Sequence, residues 1–104
     1  MTKVKFHADK IGLIGFEISG HSSKNSDDIN GKIVCSAVSS AAYMAVNTIE
    51  EIIGEKCEAR VDDALMSVKV QNPCDASRKV LEGLRLHLTE LSKQYSDRIV
   101  IMEV

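Results

Sequence analysis

One change of period constrains this chain more than any other feature. From Ile33 to about Ile53 the apolar residues Cys35, Val38, Ala42, Ala45, Ile49 and Ile52 recur at spacings of 3, 4, 3, 4 and 3. Ser36, Ser40, Tyr43, Asn47 and Glu50 fall between them on the opposite side. That is the stripe of an amphipathic helix, and Gly54 is a suitable stop. The stripe opens with small residues, so the backbone can approach closely whatever it packs on.

On both sides of this helix the period is two. Val4, Phe6 and Ala8 alternate with Lys3, Lys5 and His7, and after the turn signal from Asp9 to Gly12 the series Ile14, Phe16, Ile18 reads as the return arm of a hairpin. Cys57, Ala59 and Val61, then Asp62-Asp63, then Met66, Val68 and Val70 predict a second hairpin. Asn72-Pro73 ends that strand. Asp75 or Ser77 can then cap a second helix with Val80, Leu84, Leu88, Leu91 and Tyr95 on its apolar face and Arg78, Lys79, Glu82, Arg85 and Lys93 toward water. The closing segment puts Ile99 and Ile101 on one side and Val100, Met102 and Val104 on the other. It therefore reads as an inner strand or one lying under a partner.

Two hairpins, two helices and a last strand have too few βαβ units for a doubly wound fold. The order ββαββαβ predicts an α+β two-layer sandwich with a mostly antiparallel sheet, as a single domain over residues 1–104. Helices on one face would leave the other face of the last strand bare, which predicts a homodimer.

Thirteen basic and fifteen acidic residues give a formal net charge of -2. No global positive field is present to gather phosphates, so direct nucleic-acid binding is not expected. The opening MTKVKFHADK lacks a signal-peptide apolar core, and no continuous run approaches the roughly 20 apolar residues of a membrane span. A cytoplasmic protein with no membrane partner is expected. Cys35, Cys57 and Cys74 are odd in number and widely spaced, as thiols in a reducing compartment would be. No Cys-x-x-Cys or His-x-x-x-His pair brings these cysteines together with His7, His21 or His87, and neither a metal nor another cofactor is implied.

Chemistry concentrates between residues 20 and 39, GHSSKNSDDINGKIVCSAVS. With a helix starting near Ile33, Cys35 would lie in its first turn, where unpaired N–H groups and the positive end of the helix dipole favour a thiolate. His21 stands 14 positions earlier at a strand end. A loop that leaves and returns could set its imidazole beside the sulfur, as a nucleophile and its base require. Free N–H groups around Cys35 and Ser36 could stabilise an oxyanion. The same residues also admit a plainer account, with Cys35 as a small core residue, His21 as a loop residue and residues 22–30 as a solvated connection. Ser, Asn, Asp and Gly in that connection would also allow it to close as a lid.

Gly20-His21, a polar glycine-containing loop and then IVCSAVS resemble the ribosomal-processing cysteine protease family, Prp, and the element order is similar over nearly the whole chain. The resemblance implies that His21 and Cys35 form the catalytic pair and that an acyl-enzyme intermediate forms. It implies a substrate in the N-terminal extension of the twenty-seventh protein of the bacterial large ribosomal subunit, cut after an aromatic residue. It also implies a dimer with an α/β fold. Ser39 matches the motif serine that follows the cysteine. Where the family commonly has an acidic residue three positions before the cysteine, this chain has Lys32, which leaves open the third group that would orient the histidine. Asp27 or Asp28 could fill that place if the loop folds back. Tyr43, Met44 and Met66 are candidates for the wall of an aromatic pocket. Two other functions fit the residues: a catalytically inactive relative that binds a ribosomal protein's tail, and a thiol redox protein in which Cys57 or Cys74 resolves Cys35.

Overall fold

The computed structural model describes residues 1–103, so Val104, expected beside Val100 and Met102, lies outside the described residues. The elements follow the expected order. They are β1 (Thr2–Ala8), β2 (Leu13–Ser19), α1 (Ile29–Asn47) running into a wider π-helical turn (Thr48–Ile53), β3 (Cys57–Asp62), β4 (Leu65–Val70), α2 (Asp75–Gln94) and β5 (Ile99–Glu103). The five strands form one sheet in the order β3-β4-β2-β1-β5. Every pairing is antiparallel except that of β1 with β5, which is parallel. The fold is α+β in two layers.

Register follows from which side chains must be dry. Phe6 on β1 pairs with Phe16 on β2, and Phe16 with Val68 on β4, so the three line up across the sheet. All three are buried under the helices, with the two rings tilted at 47° and their centroids 6.2 Å apart. A slip of one residue would turn this row to the side that carries Lys5, Glu17 and Lys69. That polar side also holds Val100 and Met102, whose strand neighbours there include Lys3 and Lys5. The bare apolar face expected of the last strand is therefore broken up by charge. Moreover, among the described residues β5 pairs only with β1 and is an edge strand, not an inner one.

The other edge departs from expectation too. Cys57 is buried, but Ala59 and Val61 on the same side of β3 are exposed.

Helix α1 starts at Ile29 rather than Ile33. Asp28 caps it, its Oδ1 accepting the Gly31 N–H at 3.2 Å, and an Asp so placed satisfies a donor that would otherwise be orphaned. The far end departs in phase. The N–H groups of Gly54 and Glu55 both reach the Ile49 carbonyl, each at 2.9 Å, and this wider turn rotates the last residues of the helix off the 3.6-residue stripe. Ile49 is buried, whereas Ile52 is 81% exposed. The stretch Ile29–Ile53, which contains an 18-residue window of mean hydropathy 1.2, is long and apolar enough by composition to cross a bilayer. Here Val34, Val38, Ala42, Ala45 and Ile49 are instead buried in the core.

Neither Asp75 nor Ser77 caps α2 with its side chain. The cap residue is Cys74, and its N–H is held by Glu55 from before β3, at 3.0 Å, while the Ser77 hydroxyl in the first turn donates to the same carboxylate. Arg78, expected to face water, is buried. It donates to Asp9 in the β1–β2 turn at 2.7 and 2.9 Å, the two-bond geometry that suits a guanidinium.

Candidate active site

A backbone constraint begins the site. Gly20 closes β2 with φ of 84°, a left-handed conformation that glycine adopts without penalty, and its N–H donates to the Ala64 carbonyl at 2.9 Å. The chain thus leaves β2 beside the β3–β4 turn. His21 emerges with its side chain 58% exposed and its Nε2 3.9 Å from Asp63 in that turn.

Cys35, Ser39 and Tyr43 recur at four-residue intervals along α1 and so share one face of it. All three border an open cavity of about 170 Å³ whose wall also includes His21, Val61, Leu65 and Met66. The structure therefore brings His21 and Cys35 to one cavity, with apolar side chains around them. Ser39 stands exposed on its wall rather than packed in the core. Of the three pocket candidates Tyr43 and Met66 are on this wall. Met44 faces a separate apolar groove between α1 and α2.

Between the two lies Ser22, which sequence reasoning passes over. It is 3% exposed, and its backbone N–H points at the Cys35 sulfur from 3.2 Å. Every other polar group of Ser22 is engaged as well. Its hydroxyl donates to the Arg98 carbonyl at 2.9 Å and lies 2.5 Å from the Thr2 hydroxyl, while its carbonyl accepts from Arg98 Nη1 at 3.2 Å. That same nitrogen is ion-paired with Asp28, in a pair whose side chains are only 13% and 10% exposed. Arg98 arrives there because β5 runs parallel to β1, with the Thr2 N–H on the Arg98 carbonyl at 2.8 Å. No local signal near Gly20-His21 marks a residue so far along the chain.

Several expectations need correction. Cys35 is not in the first turn of its helix. With α1 beginning at Ile29, Cys35 and Ser36 lie in the helix interior, where backbone N–H groups belong to the i to i−4 ladder. The oxyanion role expected of the free N–H groups around Cys35 and Ser36 loses its basis. Asp28 does fold back, but its oxygens take the N–H groups of Lys24 and Gly31 and the Arg98 guanidinium. Those bonds, the Lys24 N–H foremost, hold its carboxyl below the usual range. It braces the loop and is not the partner of His21. The carboxylate near His21 is Asp63, fully exposed. Lys32 donates its ammonium to the Ser26 carbonyl and is exposed, so its charge is committed to the loop.

Cys57 is apart from the cavity wall, and burial, with Glu50 and Glu55 adding repulsion, pushes its thiol up to about 11. Cys74 is exposed at the start of α2. Among the described residues no group of three or more histidine, cysteine or carboxylate side chains is placed to hold a metal ion.

A two-layer α+β domain with a cysteine and a histidine on the wall of one open cavity has the build of a cysteine peptidase. The family model for cysteine protease Prp matches residues 1–100, and the chain belongs to that family. Among solved structures it is similar to the essential ribosomal processing protease Prp from S. aureus with a covalently linked product peptide, at 18% identity and a TM-score of 0.87 with all of both chains covered. The same S. aureus protein with a substrate peptide gives 16% identity and a TM-score of 0.88, again over both whole chains. SMU.848 from Streptococcus mutans gives 22% identity and 0.88, covering 100% of this chain and 94% of that one. No curated protein matches the sequence.

Proposed function

We propose that this cysteine protease removes the N-terminal extension of the twenty-seventh protein of the bacterial large ribosomal subunit, cutting after an aromatic residue. The observation that carries the reading is the meeting of His21 and Cys35 on a cavity wall whose other members include Tyr43, Leu65 and Met66, a setting that suits an aromatic side chain beside a nucleophile. Similarity to a protein described as a ribosomal processing protease supports the substrate class.

In this reading the Cys35 thiolate attacks the carbonyl carbon after the aromatic residue, and a C–S bond forms as the carbonyl π pair moves onto oxygen. His21, having taken the thiol proton, gives it to the departing amine as the C–N bond breaks. Water, deprotonated by His21, then attacks the thioester, the C–S bond breaks and the thiolate is restored. The protein acts in the cytoplasm as a homodimer, and Ile33, Met44 and Leu86 are exposed apolar residues on the helices that a second copy could cover.

The test is mass spectrometry of a peptide from the host ribosomal protein's N-terminus, incubated with wild type and with Cys35→Ala. Cleavage after the aromatic residue by wild type alone is expected. Binding without cleavage by wild type would instead make the chain a tail-binding relative, the reading that Lys32 in place of an acid keeps open.

A further inference from the structure

Two of the points that hold the loop from Gly20 to Asp28 are tied to Arg98. One is Ser22, gripped through its carbonyl by the guanidinium and through its hydroxyl by the Arg98 backbone carbonyl. The other is Asp28, paired with the same guanidinium nitrogen that holds the Ser22 carbonyl. The Ser22 carbonyl and N–H belong to the two peptide units that meet at its α-carbon, and with the carbonyl and the hydroxyl both held the residue between them is fixed in orientation. The remaining polar group, the N–H, is the one that meets the Cys35 sulfur.

From this we infer that Arg98 and Asp28 are positioning residues for the nucleophile, holding Ser22 so that its backbone N–H is presented to the Cys35 sulfur. Neither borders the cavity. An N–H donor aimed at sulfur binds thiolate far better than thiol, since hydrogen bonds to an ionised acceptor are the strong ones. The bond therefore sets a donor against the sulfur before any peptide arrives. It also does so without a helix N-terminus, the device that the position of Cys35 within α1 removes. The Arg98 charge is itself matched by Asp28, so the influence that reaches the sulfur is an oriented peptide dipole.

The other titratable or charged groups bordering the cavity are His21, Tyr43 and Asp62, with Asp63 beside His21, and all four stay unchanged in the variants compared. The inference rests on the protease reading for its catalytic meaning, but its central measurement needs no substrate. The rate of Cys35 alkylation by iodoacetamide is followed against pH in the full chain, by mass spectrometry of the peptide carrying Cys35. Wild type is compared with Arg98→Met, Arg98→Lys and Asp28→Asn. Arg98→Met is expected to raise the midpoint by about one unit, which lowers the rate roughly tenfold at any pH below both midpoints. Arg98→Lys, whose ammonium can still serve the Ser22 carbonyl, restores part of the shift. On the ribosomal-protein peptide the same variants lose kcat with KM little changed.

A purely structural role would lower the melting temperature and leave the midpoint where it was. Midpoints equal to wild type in variants with a cooperative melt would overturn the inference. Should Arg98→Met not fold, Arg98→Lys and Asp28→Asn decide the matter by the same criterion. A shifted midpoint supports the positioning role even if wild type cleaves no peptide, a result that would strike only at the protease reading.

Discussion

Gly31, in the first turn of α1, lies against Ser22 so closely that a methyl group on its α-carbon would come within 2.6 Å of the Ser22 carbonyl oxygen. The Asp28 carboxylate oxygen would be equally near. In an ordinary helix, replacing glycine by alanine gains about 1 kcal/mol. Here the gain must be set against backbone and a capping carboxylate that cannot both withdraw. Gly31→Ala is therefore expected to lower the melting temperature and slow alkylation of Cys35, because the displaced atoms are those that hold Ser22. Gly83→Ala in α2, where nothing lies within 4 Å of the added carbon, is the control and should raise the melting temperature. Equal effects of the two substitutions by scanning calorimetry would show that the contact at Gly31 is relieved at no cost.

His21 is exposed and held by no strong partner, so its removal should leave the fold intact and affect reactivity alone. His21→Ala is expected to lower kcat on the ribosomal-protein peptide by about 10²- to 10⁴-fold, the range a positioned acid-base group supplies. KM should change little, and the melting temperature should stay within a degree or so of wild type, as for most exposed positions. Stopped-time chromatography of the cleaved peptide reads both constants. A fall of less than a few fold would take the base assignment away from His21.

Three carboxylates tie distant segments together, and each is held below its ordinary value. Asp9 is lowered first by its hydrogen bond from Arg78 and then by the Gly12 and Ile11 N–H groups. Glu55 is lowered chiefly by the Ser77 hydroxyl and then by the Cys74 N–H, and Asp28 chiefly by the Lys24 N–H. A carboxyl lowered in the folded state adds stability above its unfolded value, and that contribution disappears as pH falls toward the folded value. With ordinary values of 3.8 for the aspartates and 4.5 for the glutamate, the melting temperature should be insensitive to these groups at neutral pH and fall below about pH 4.5. Arg78→Met should lower it at neutral pH and make the acid fall shallower, since Asp9 then has less to lose. An unchanged acid slope would mean that the pair contributes little to folding.

The periods of the apolar residues are enough to place every strand and both helices, because burial on one face writes itself into alternation or into a helical stripe. They carry no sign of the places where backbone bonding departs from the regular pattern. Ile52 continues the stripe in sequence, yet the π-helical turn at Thr48–Ile53 rotates it to water. Periodicity places the start of α1 late because Ile29 to Lys32 shows little apolar pattern, whereas the helix there is set by the Asp28 cap. That displacement alone puts Cys35 into a first turn it does not occupy. At the site, Gly20-His21 and Cys35 are legible as a motif, and all three border one cavity. Ser22, Arg98 and Asp63 are not legible, since each acts through a tertiary position. Arg98 reaches Ser22 from 76 residues away only because β1 and β5 pair in parallel.

The remaining cysteines separate a peptidase from a thiol redox protein. A resolving cysteine must reach Cys35 and form a thiolate readily, because exchange proceeds through thiolate attack. Cys57 is buried, its thiol pushed up to about 11 first by that burial and then by the charges of Glu50 and Glu55. At neutral pH it is almost wholly protonated and slow to react. Cys74 is accessible, but it stands at the entry to α2, where its N–H is engaged by Glu55, and it takes no part in the wall of the cavity that Cys35 borders. A Cys57→Ser, Cys74→Ser double variant is accordingly expected to cleave the peptide at the wild-type rate, within about twofold, with no dependence on added reductant beyond keeping Cys35 reduced. In the wild-type chain, iodoacetamide at neutral pH should label Cys35 well before Cys57, read by mass spectrometry of the labelled peptides. Loss of activity in the double variant, with its melt unchanged, would bring the redox reading back, because only a chemical role for one of these thiols could then connect them to the site.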